Sequence, residues 1–399
     1  MVAGNLQSLQ AKQSLRRSWA LFALLSIAYL AAGWYLLRTV WQADAALNWV
    51  ILASVTLIYL LIVLWRNLDQ NRRPDEEILL PGLGWGNWTT LLRGVLVASL
   101  IGFLFLPRPS GWLTWLPAIL YSLAIMADSL DGYLARRSNY TTSLGGILDM
   151  SFDGLGVLAA AILLVQYGQV PSWYILVGLA RYLFLLGEWV LRRLGRSPQP
   201  LQHNVQRRIF ASIQFVFIAV LLYPVFPPTL TQVAAVFFGL PFLIGFWRDF
   251  LLVCGVLRPK STPAIPARFL AAIQIGIRLA LVVLALLVLR QMQPANLALD
   301  REGAALLFLQ LFMALAVLLG IAGRISSGIA LGLIGLGQWF FPPTILQIFQ
   351  IAGYAAIIYM GVGPYSHWSP EEAWYYKPTG LTRPGTAQKP KNETLPQAH

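Results

Sequence analysis

The sequence predicts an all-α fold, a polytopic membrane helical bundle. Hydrophobic residues make up 57% of its 399 residues and charged residues only 11%, and the mean hydropathy is +0.64. A soluble domain has about 25% charged residues, so this composition cannot cover a water-facing surface. A soluble enzyme is therefore excluded, and the single Cys254 excludes an intramolecular disulfide and a cysteine metal site.

Long apolar runs predict twelve transmembrane helices, because a bilayer core takes about 20 mostly apolar residues per helix. The predicted spans lie near residues 19–37, 48–65, 92–107, 112–130, 145–167, 172–191, 209–227, 230–253, 265–289, 303–322, 325–341 and 345–362. Two longer polar connections separate a six-helix core from two extra N-terminal helices and about four extra C-terminal ones. We expect domains at residues 1–79, 80–257 and 258–370, then a disordered cytoplasmic tail at 371–399.

The basic residues predict the orientation of these helices. The chain has 29 Lys and Arg against 16 Asp and Glu, a net charge of +13. With the N-terminus inside, most basic residues fall in inside loops and tails, whereas the outside loops hold Arg38, Arg108, Arg290 and Arg301. The positive-inside rule therefore predicts two cytoplasmic termini in an inner or plasma membrane, and the charge no longer indicates a nucleic-acid partner.

Tryptophan is frequent, and many of the 15 residues stand at the ends of predicted spans. Trp41, Trp49 and Trp65 are examples. Indole rings favour the level of the lipid headgroups, so we expect an interfacial belt and assign these residues no ligand.

Four of the 16 acidic residues lie within residues 128–153. Asp128 and Asp131 are three residues apart, and Asp149 and Asp153 are four apart, so each pair shares a helix face. The first pair ends the fourth predicted span and the second begins the fifth. Two adjacent antiparallel helices would bring the four carboxylates together near the cytoplasmic surface.

Such a cluster indicates a metal site, because neighbouring carboxylates repel one another and are unfavourable in a low dielectric. Two divalent cations would neutralise the four charges, and hard oxygen ligands suit Mg²⁺ or Mn²⁺. A metal pair suits in-line displacement at phosphorus. Arg136 follows Asp131 by about one turn and can bind a phosphate, while Gly132, Ala135 and Gly145 keep the surface open for a ligand.

The window resembles the signature of the CDP-alcohol phosphatidyltransferase family. That signature reads D-x2-D-G-x2-A-R-x8-G-x3-D-x3-D, and residues 128–153 match every fixed position. The upstream element Asn87-x2-Thr90-x2-Arg93, just before the third predicted span, is also similar to the family. Gly86 stands where relatives often have proline.

The resemblance, which covers residues 80–257, implies a catalytic core that transfers a phosphatidyl group from CDP-diacylglycerol or another CDP-alcohol to an alcohol and releases CMP. It implies that Asp128, Asp131 and Asp149 are metal ligands. Asp153 would be both a metal neighbour and the general base. The CDP site would be lined by Gly132, Ala135, Arg136, Gly145, Asn87 and Thr90. Relatives form homodimers, so we expect a homodimer with its active site facing the cytoplasm.

Three arginines are candidates for the acceptor site: Arg181, Arg207 and Arg208. They would favour a phosphorylated acceptor such as glycerol phosphate or inositol phosphate, because an anionic substrate needs cationic partners. Two alternatives stay open here. Arg181 could pair with Glu188 across a helix interface, and Arg207 and Arg208 could be ordinary positive-inside anchors.

Two other classes of function also stay open. Intramembrane carboxylates occur in transporters, so the acidic cluster could be an ion or proton site. A membrane scaffold is the other class, with the C-terminal helices as its working part. Those helices, residues 264–370, resemble the four-helix membrane module known as DoxX-like, on the segments 277–279, 319–337 and 361–366.

Overall fold

Twelve α-helices make up most of the protein in the computed structural model, which describes residues 2–74, 76–199, 205–257, 267–292, 301–363 and 365–370. They are α1 (Val2–Val40), α2 (Ala43–Arg66), α3 (Gly84–Ile101), α4 (Leu116–Arg137), α5 (Ser143–Gln166), α6 (Ile175–Arg193), α7 (Val205–Leu222), α8 (Pro228–Val253), α9 (Ala267–Met292), α10 (Arg301–Leu319), α11 (Gly323–Gly337) and α12 (Ile345–Met360). The described residues form no β-strand and only two isolated bridges. The predicted all-α class is confirmed.

Eight of the described helices are long and apolar enough to cross a membrane. Their outer faces carry large apolar side chains, such as Leu24 at 64% exposure and Ile27 at 65%. Three further apolar helices, α11, α12 and the stretch Ile209–Leu222 of α7, are shorter. Each of the twelve predicted spans corresponds in order to one helix, and the exposed apolar faces suit contact with lipid rather than water.

The third helix begins earlier than predicted. Its range is Gly84–Ile101 rather than 92–107, so Asn87, Thr90 and Arg93 lie on the helix and not in the chain before it. These polar residues lower the hydropathy of the segment, which hid the start of the helix in the sequence. All three are buried, because α3 packs against α2, α4 and α5 and its inner face never meets lipid.

Gly86 allows the close approach of α3 and α4. A Cβ at Gly86 would lie 2.9 Å from the Cβ of Ala135 and 3.2 Å from the main-chain oxygen of Asp131. Gly86 has no side chain, so the backbones of the two helices lie against each other here. This contact brings the acidic end of α4 next to α3.

One hydrophobic cluster joins the first two helices to the core. Most of its buried members come from α1, α2, α3 and α5, and they include Leu15, Phe22, Leu60, Leu91 and Phe152. The cluster fixes α3 between the N-terminal pair and α5. The acidic ends of α4 and α5 are therefore positioned against a helix that is held on several sides.

Trp49 does not belong to an interfacial belt, so that prediction is wrong for this residue. The side chain is only 3% exposed, and its Nε1 donates a hydrogen bond of 3.0 Å to the main-chain oxygen of Ser99. Gly33 on α1 leaves room for the ring, since a Cβ there would lie 2.7 Å from Cζ3 of Trp49. Trp49 thus joins α1 and α2, the two N-terminal lead helices, to α3.

The chain divides into two compact units, Met1–Lys260 and Ser261–His399. In the second unit, α9 packs on α10, α10 on α11, α11 on α12 and α12 on α9. A capping box of Thr344 and Gln347 begins α12. The resemblance of these helices to the DoxX-like module stays a prediction, and the predicted tail at 371–399 lies outside the described residues.

Candidate active site

Arg93 lies at the centre of the four signature carboxylates. Its Nη2 donates to Oδ1 of Asp149 at 2.6 Å, and its Nη1 donates to Asp128 and lies 3.3 Å from Asp153 and 4.0 Å from Asp131. The arginine side chain is 4% exposed, whereas those of Asp128 and Asp149 are 44% and 43% exposed. The carboxylates thus form a partly open ring around a buried cation.

The donor set fits a divalent cation. Asp128, Asp131 and Asp149 each offer a carboxylate oxygen, and these oxygens lie within 4.8 Å of one another. Three anionic oxygens at this spacing are ligands of the kind that Mg²⁺ and Mn²⁺ prefer. Carboxylates of α4 and α5 lie close together in the structure, as the sequence predicts.

Thr90 orients one of these carboxylates. Its hydroxyl donates a hydrogen bond of 2.9 Å to Oδ2 of Asp131, and Asp131 is the most buried of the four, at 12% exposure. A hydrogen-bonded carboxylate loses its freedom to rotate, so Thr90 fixes the orientation of the Asp131 carboxylate.

Asn87 links three segments behind the carboxylates. Its Nδ2 donates to Oγ1 of Thr142 at 3.0 Å and to Oδ1 of Asn71 at 3.1 Å. Thr142 caps α5 by accepting a hydrogen bond of 3.1 Å from the main-chain nitrogen of Gly145. A Cβ at Gly145 would lie 2.6 Å from Oδ1 of Asn87. Asn87 and Gly145 therefore fix where α5 begins.

Gly132 provides space for Arg136 on the exposed side of α4. A Cβ at Gly132 would lie 3.1 Å from Nη1 of Arg136, so the guanidinium group lies over the glycine. Arg136 is exposed and adjoins the acidic ring through the same helix. Ala135 points the other way, into the contact with Gly86.

Asp153 pairs with Arg181 of α6. Nη1 of Arg181 lies 3.5 Å from Oδ2 of Asp153, and its Nη2 donates to the main-chain oxygen of Met150 at 3.0 Å. Gly154 makes the room, because a Cβ there would lie 3.1 Å from Cδ of Arg181. The alternative pairing of Arg181 with Glu188 is wrong, because Glu188 pairs with Arg192 at 3.5 Å.

A cavity of about 720 Å³ extends from Asp153 between α5, α6, α7 and α8. Arg181 and Arg207 both line it, as do Arg248 and Asp249. Asp249 is buried and lies 3.3 Å from both Nε of Arg207 and Nη2 of Arg248. The side chain of Arg208 lies outside the described ones. Two of the three predicted acceptor arginines thus share one cavity with Asp153.

Arg93 is the functional residue to which the sequence assigned no role. It belongs to the upstream element and lies at the start of the third predicted span. Its spacing of three residues from Thr90 was the available signal, since i and i+3 share a helix face. The signal required knowing that α3 already begins at Gly84.

Comparisons with known proteins match the part of the chain that carries this site. A family model for CDP-alcohol phosphatidyltransferases matches residues 85–247. The CDP-diacylglycerol–glycerol-3-phosphate 3-phosphatidyltransferase of Bacillus subtilis (strain 168) is 30% identical over 145 residues, which are 36% of this chain and 66% of that protein. The protein of the same description from Wigglesworthia glossinidia brevipalpis is 30% identical over 141 residues, 34% of this chain and 74% of that protein.

A cardiolipin synthase (CMP-forming) of Streptomyces coelicolor is 39% identical over 93 residues, 23% of this chain and 41% of that protein. The chain thus spans between 41% and 74% of the length of these three curated relatives. No solved structure matches it. The eight membrane-length helices and these relatives identify an integral membrane protein. Its complete acidic signature and the extent of the matches identify the chain as a member of the CDP-alcohol phosphatidyltransferase family.

Proposed function

We propose that the protein transfers a phosphatidyl group from CDP-diacylglycerol to an alcohol acceptor and releases CMP, as a step of phospholipid biosynthesis. The observation that carries the proposal is the convergence of all four signature carboxylates around Arg93, with a cavity that begins at Asp153. The descriptions of the relatives support the same reaction class.

Asp128, Asp131 and Asp149 would hold the metal, with Asp153 beside it. We propose Mg²⁺ or Mn²⁺, and two ions, because four carboxylates carry more negative charge than Arg93 alone neutralises. When bound, such ions neutralise the charge on the pyrophosphate and on the departing phosphate oxygen. The 4.8 Å grouping of three carboxylate oxygens supports this assignment.

The chain's own residues would perform the proton transfer. Asp153 accepts the proton of the acceptor hydroxyl, and the oxygen attacks the β-phosphorus of CDP-diacylglycerol. The new phosphorus–oxygen bond forms as the bond to CMP breaks, and CMP leaves with the electron pair. Arg181, at 3.5 Å, holds the carboxylate of Asp153 in orientation, so that the general base points into the cavity.

The donor would lie over the exposed end of α4. Arg136, whose guanidinium covers Gly132, can donate two hydrogen bonds to a phosphate. Three other predicted CDP-site residues would act by positioning other groups. Asn87 and Gly145 fix the start of α5, and Thr90 orients Asp131. For Ala135, the contact with Gly86 is the supported role, and its contact with CDP stays a prediction.

Residues 80–257 are the proposed catalytic core, with 1–79 as a lead and 258–370 as an appendage. We also propose that both termini and the active site face the cytoplasm of an inner or plasma membrane, because basic residues concentrate on that side. A homodimer is proposed from the family resemblance. Arg207 and Arg181 in the cavity support an acceptor that carries phosphate, with glycerol phosphate and inositol phosphate as small candidates.

Release of CMP tests the reaction. We expect the purified full-length protein, in detergent with CDP-diacylglycerol and Mg²⁺, to release CMP only when an alcohol acceptor is present. Asp153→Asn should lower kcat at least a hundredfold, since a positioned general base contributes about 10²–10⁴-fold. Asp44→Asn is the matched control, because Asp44 is an exposed carboxylate at the start of α2.

The same preparation tests the transporter alternative. If no acceptor in a panel of phosphorylated and plain alcohols releases CMP, the transfer reaction is excluded. Proteoliposomes that then move protons or cations, and lose this flux with Asp153→Asn, would favour a transporter.

A further inference from the structure

We propose that the acceptor alcohol is itself a lipid, with an anionic headgroup and at least one acyl chain, and that it binds in the cavity between α5 and α8. The inference rests on the proposed phosphatidyl transfer and names the class of its second substrate. The observations that carry it are the size, lining and charge of the cavity.

The cavity is too large for a small polyol phosphate. Its volume is about 720 Å³, within the roughly 300–1,000 Å³ range of sites that enclose drug-sized ligands. Glycerol phosphate would fill a minor part of this space and leave the rest to water against an apolar wall. A lipid headgroup with part of an acyl chain has the volume to fill it.

The wall of the cavity is aromatic and aliphatic. Five phenylalanines line it: Phe184, Phe210, Phe215, Phe242 and Phe246. Phe184 lies three residues after Arg181, so apolar surface begins one helical turn from the proposed reaction centre. Burial of an acyl chain against such a wall is favourable by about 25 cal/mol per Å² of apolar area.

The same wall offers few partners to a ligand with many hydroxyl groups. Among the described lining residues, Gln214 is the one neutral polar side chain. A hydroxyl group buried without a hydrogen bond costs about 1–3 kcal/mol, so a sugar-like acceptor such as inositol phosphate would leave several groups unpaired. The lining therefore favours an acceptor with few hydroxyl groups and a large apolar part.

The charge of the lining favours an anionic headgroup. Three guanidinium groups, of Arg181, Arg207 and Arg248, face two carboxylates, of Asp153 and Asp249. Guanidinium groups bind phosphate oxygens through charge-assisted hydrogen bonds, and a phosphodiester carries one negative charge. Charge complementarity and the apolar wall together describe an anionic lipid rather than a neutral one.

Gln214 distinguishes an acceptor from the tail of the donor. The side chain is 1% exposed, its Nε2 donates to the hydroxyl of Tyr174, and within the described structure its Oε1 has no hydrogen-bond partner. An unpaired amide oxygen accepts from a hydroxyl group. The headgroup of an acceptor alcohol has hydroxyl groups, whereas the acyl chains of CDP-diacylglycerol have none.

An acceptor panel tests the substrate class. The full-length protein in mixed micelles would receive CDP-dioleoylglycerol and Mg²⁺ with glycerol phosphate, inositol phosphate or phosphatidylglycerol. We expect kcat/KM of CMP release to be at least tenfold higher with phosphatidylglycerol than with either small acceptor. Equal or higher values for a small acceptor would overturn the lipid proposal and leave the transfer reaction intact. No CMP release with any acceptor would instead overturn the proposed function.

A variant that fills the cavity tests the location and separates the two sources of an acyl chain. Gly245 lines the cavity, and a Cβ there meets nothing within 4 Å, so Gly245→Leu fills space without a clash at the Cβ. We expect KM for phosphatidylglycerol to rise at least fivefold while KM for CDP-dioleoylglycerol stays within twofold. A rise in the donor's KM instead, dependent on donor chain length, would assign the cavity to the donor and overturn the proposal.

Gly328→Leu is the matched control, because Gly328 lies on α11 and a Cβ there also meets nothing within 4 Å. Both variants should keep the thermal unfolding midpoint of the unmodified protein. If KM for both substrates stays unchanged in Gly245→Leu, the cavity binds neither lipid and the proposal fails.

Discussion

Nη2 of Arg93 lies 2.6 Å from Oδ1 of Asp149 and 3.2 Å from the main-chain oxygen of the same residue. The guanidinium group is thereby tied to α5 at a point where it also meets the carboxylates of α4. Arg93 is the resident counter-cation of the acidic ring. Any divalent cation that binds there shares or takes over this neutralisation, so arginine and metal are energetically coupled.

Replacement of Arg93 by methionine should destabilise the metal-free protein and increase its response to metal. Removal of the buried cation leaves the carboxylates to repel one another, which we expect to cost about 1–3 kcal/mol, less than a fully buried ion pair because the carboxylates are partly exposed. Thermal unfolding in detergent, with chelator and with Mg²⁺, measures both effects. We expect a lower midpoint in chelator and a larger Mg²⁺-dependent gain than in the unmodified protein.

Arg73→Met is the control for this experiment. Arg73 pairs with Glu76 at 3.0 Å on an exposed surface, where an ion pair contributes about 0–1 kcal/mol. An Arg93→Met midpoint in chelator as high as that of the control would contradict the counter-cation role.

The acidic cluster could be predicted from the sequence because its information is local. Asp128 and Asp131 share one helix face and Asp149 and Asp153 another, and a short turn joins the two helix ends that carry them, while α4 and α5 each pack on α3. Arg93 could not be predicted in the same way. Its partners are 35 to 60 residues away in the chain, and the polar residues that hide the start of α3 from a hydropathy profile are those that the core buries.

The cavity could not be predicted either. It depends on how α6, α7 and α8 lie against α5, and the spacing of apolar residues within each helix does not specify that arrangement. The same limit applies to the partner of Arg181. Glu188 lies two turns after Arg181 on the same helix and is the partner that the sequence suggests. In the structure, Arg181 instead pairs with Asp153 of another helix. Pairing within one helix is encoded locally, and pairing between helices is not.

Thr90→Val should impair catalysis without unfolding the protein. The substitution keeps the shape of the side chain and removes the 2.9 Å hydrogen bond to Asp131. Loss of a group that orients a metal ligand reduces metal affinity or activity about 10- to 100-fold. We expect a tenfold or greater rise in the Mg²⁺ concentration needed for half-maximal CMP release.

Thr90→Ser should restore the lower Mg²⁺ requirement, because serine keeps the hydroxyl group. Thr89→Val is the neighbouring control, since the hydroxyl of the half-buried Thr89 donates to the main-chain oxygen of Trp85 and to no carboxylate of the acidic ring in the described structure. The positioning role of Thr90 is refuted if the serine and valine variants need the same Mg²⁺ concentration.

Replacement by alanine should lower the stability of the protein at Gly145 but not at the adjacent Gly146. A Cβ at Gly145 would lie 2.6 Å from Oδ1 of Asn87, and Asn87 cannot retreat because Thr142 and Asn71 hold its amide. Gly145→Ala should therefore lower the free energy of unfolding by about 1–3 kcal/mol through overpacking. Gly146→Ala meets nothing within 4 Å and should be neutral, or stabilising by up to about 1 kcal/mol through helix propensity.

Thermal unfolding of the two alanine variants in one detergent gives the comparison directly. We also expect Gly145→Ala to lower the rate of CMP release, because a shift of the α5 N-terminus moves Asp149 and Asp153. Equal midpoints for both variants would mean that Asn87 moves aside freely and does not fix the start of α5.

Trp49→Ala should lower the stability of the protein and leave kcat nearly unchanged. The indole ring fills a slot bordered by Gly33 of α1, where a Cβ would lie 2.7 Å away, and its Nε1 is bonded to Ser99. Truncation leaves a cavity and an unpaired carbonyl, so we expect a loss of about 3–5 kcal/mol in unfolding free energy. The contacts of residues 87–93 with the acidic ring lie about two turns from Ser99 along α3 and do not use the ring. At a temperature well below the lowered midpoint, kcat should stay within twofold of the unmodified value.

Trp112→Ala is the control, because Trp112 is 57% exposed and its truncation should leave the midpoint unchanged. A large fall in kcat for Trp49→Ala at low temperature would show instead that the lead helices act on the catalytic geometry itself.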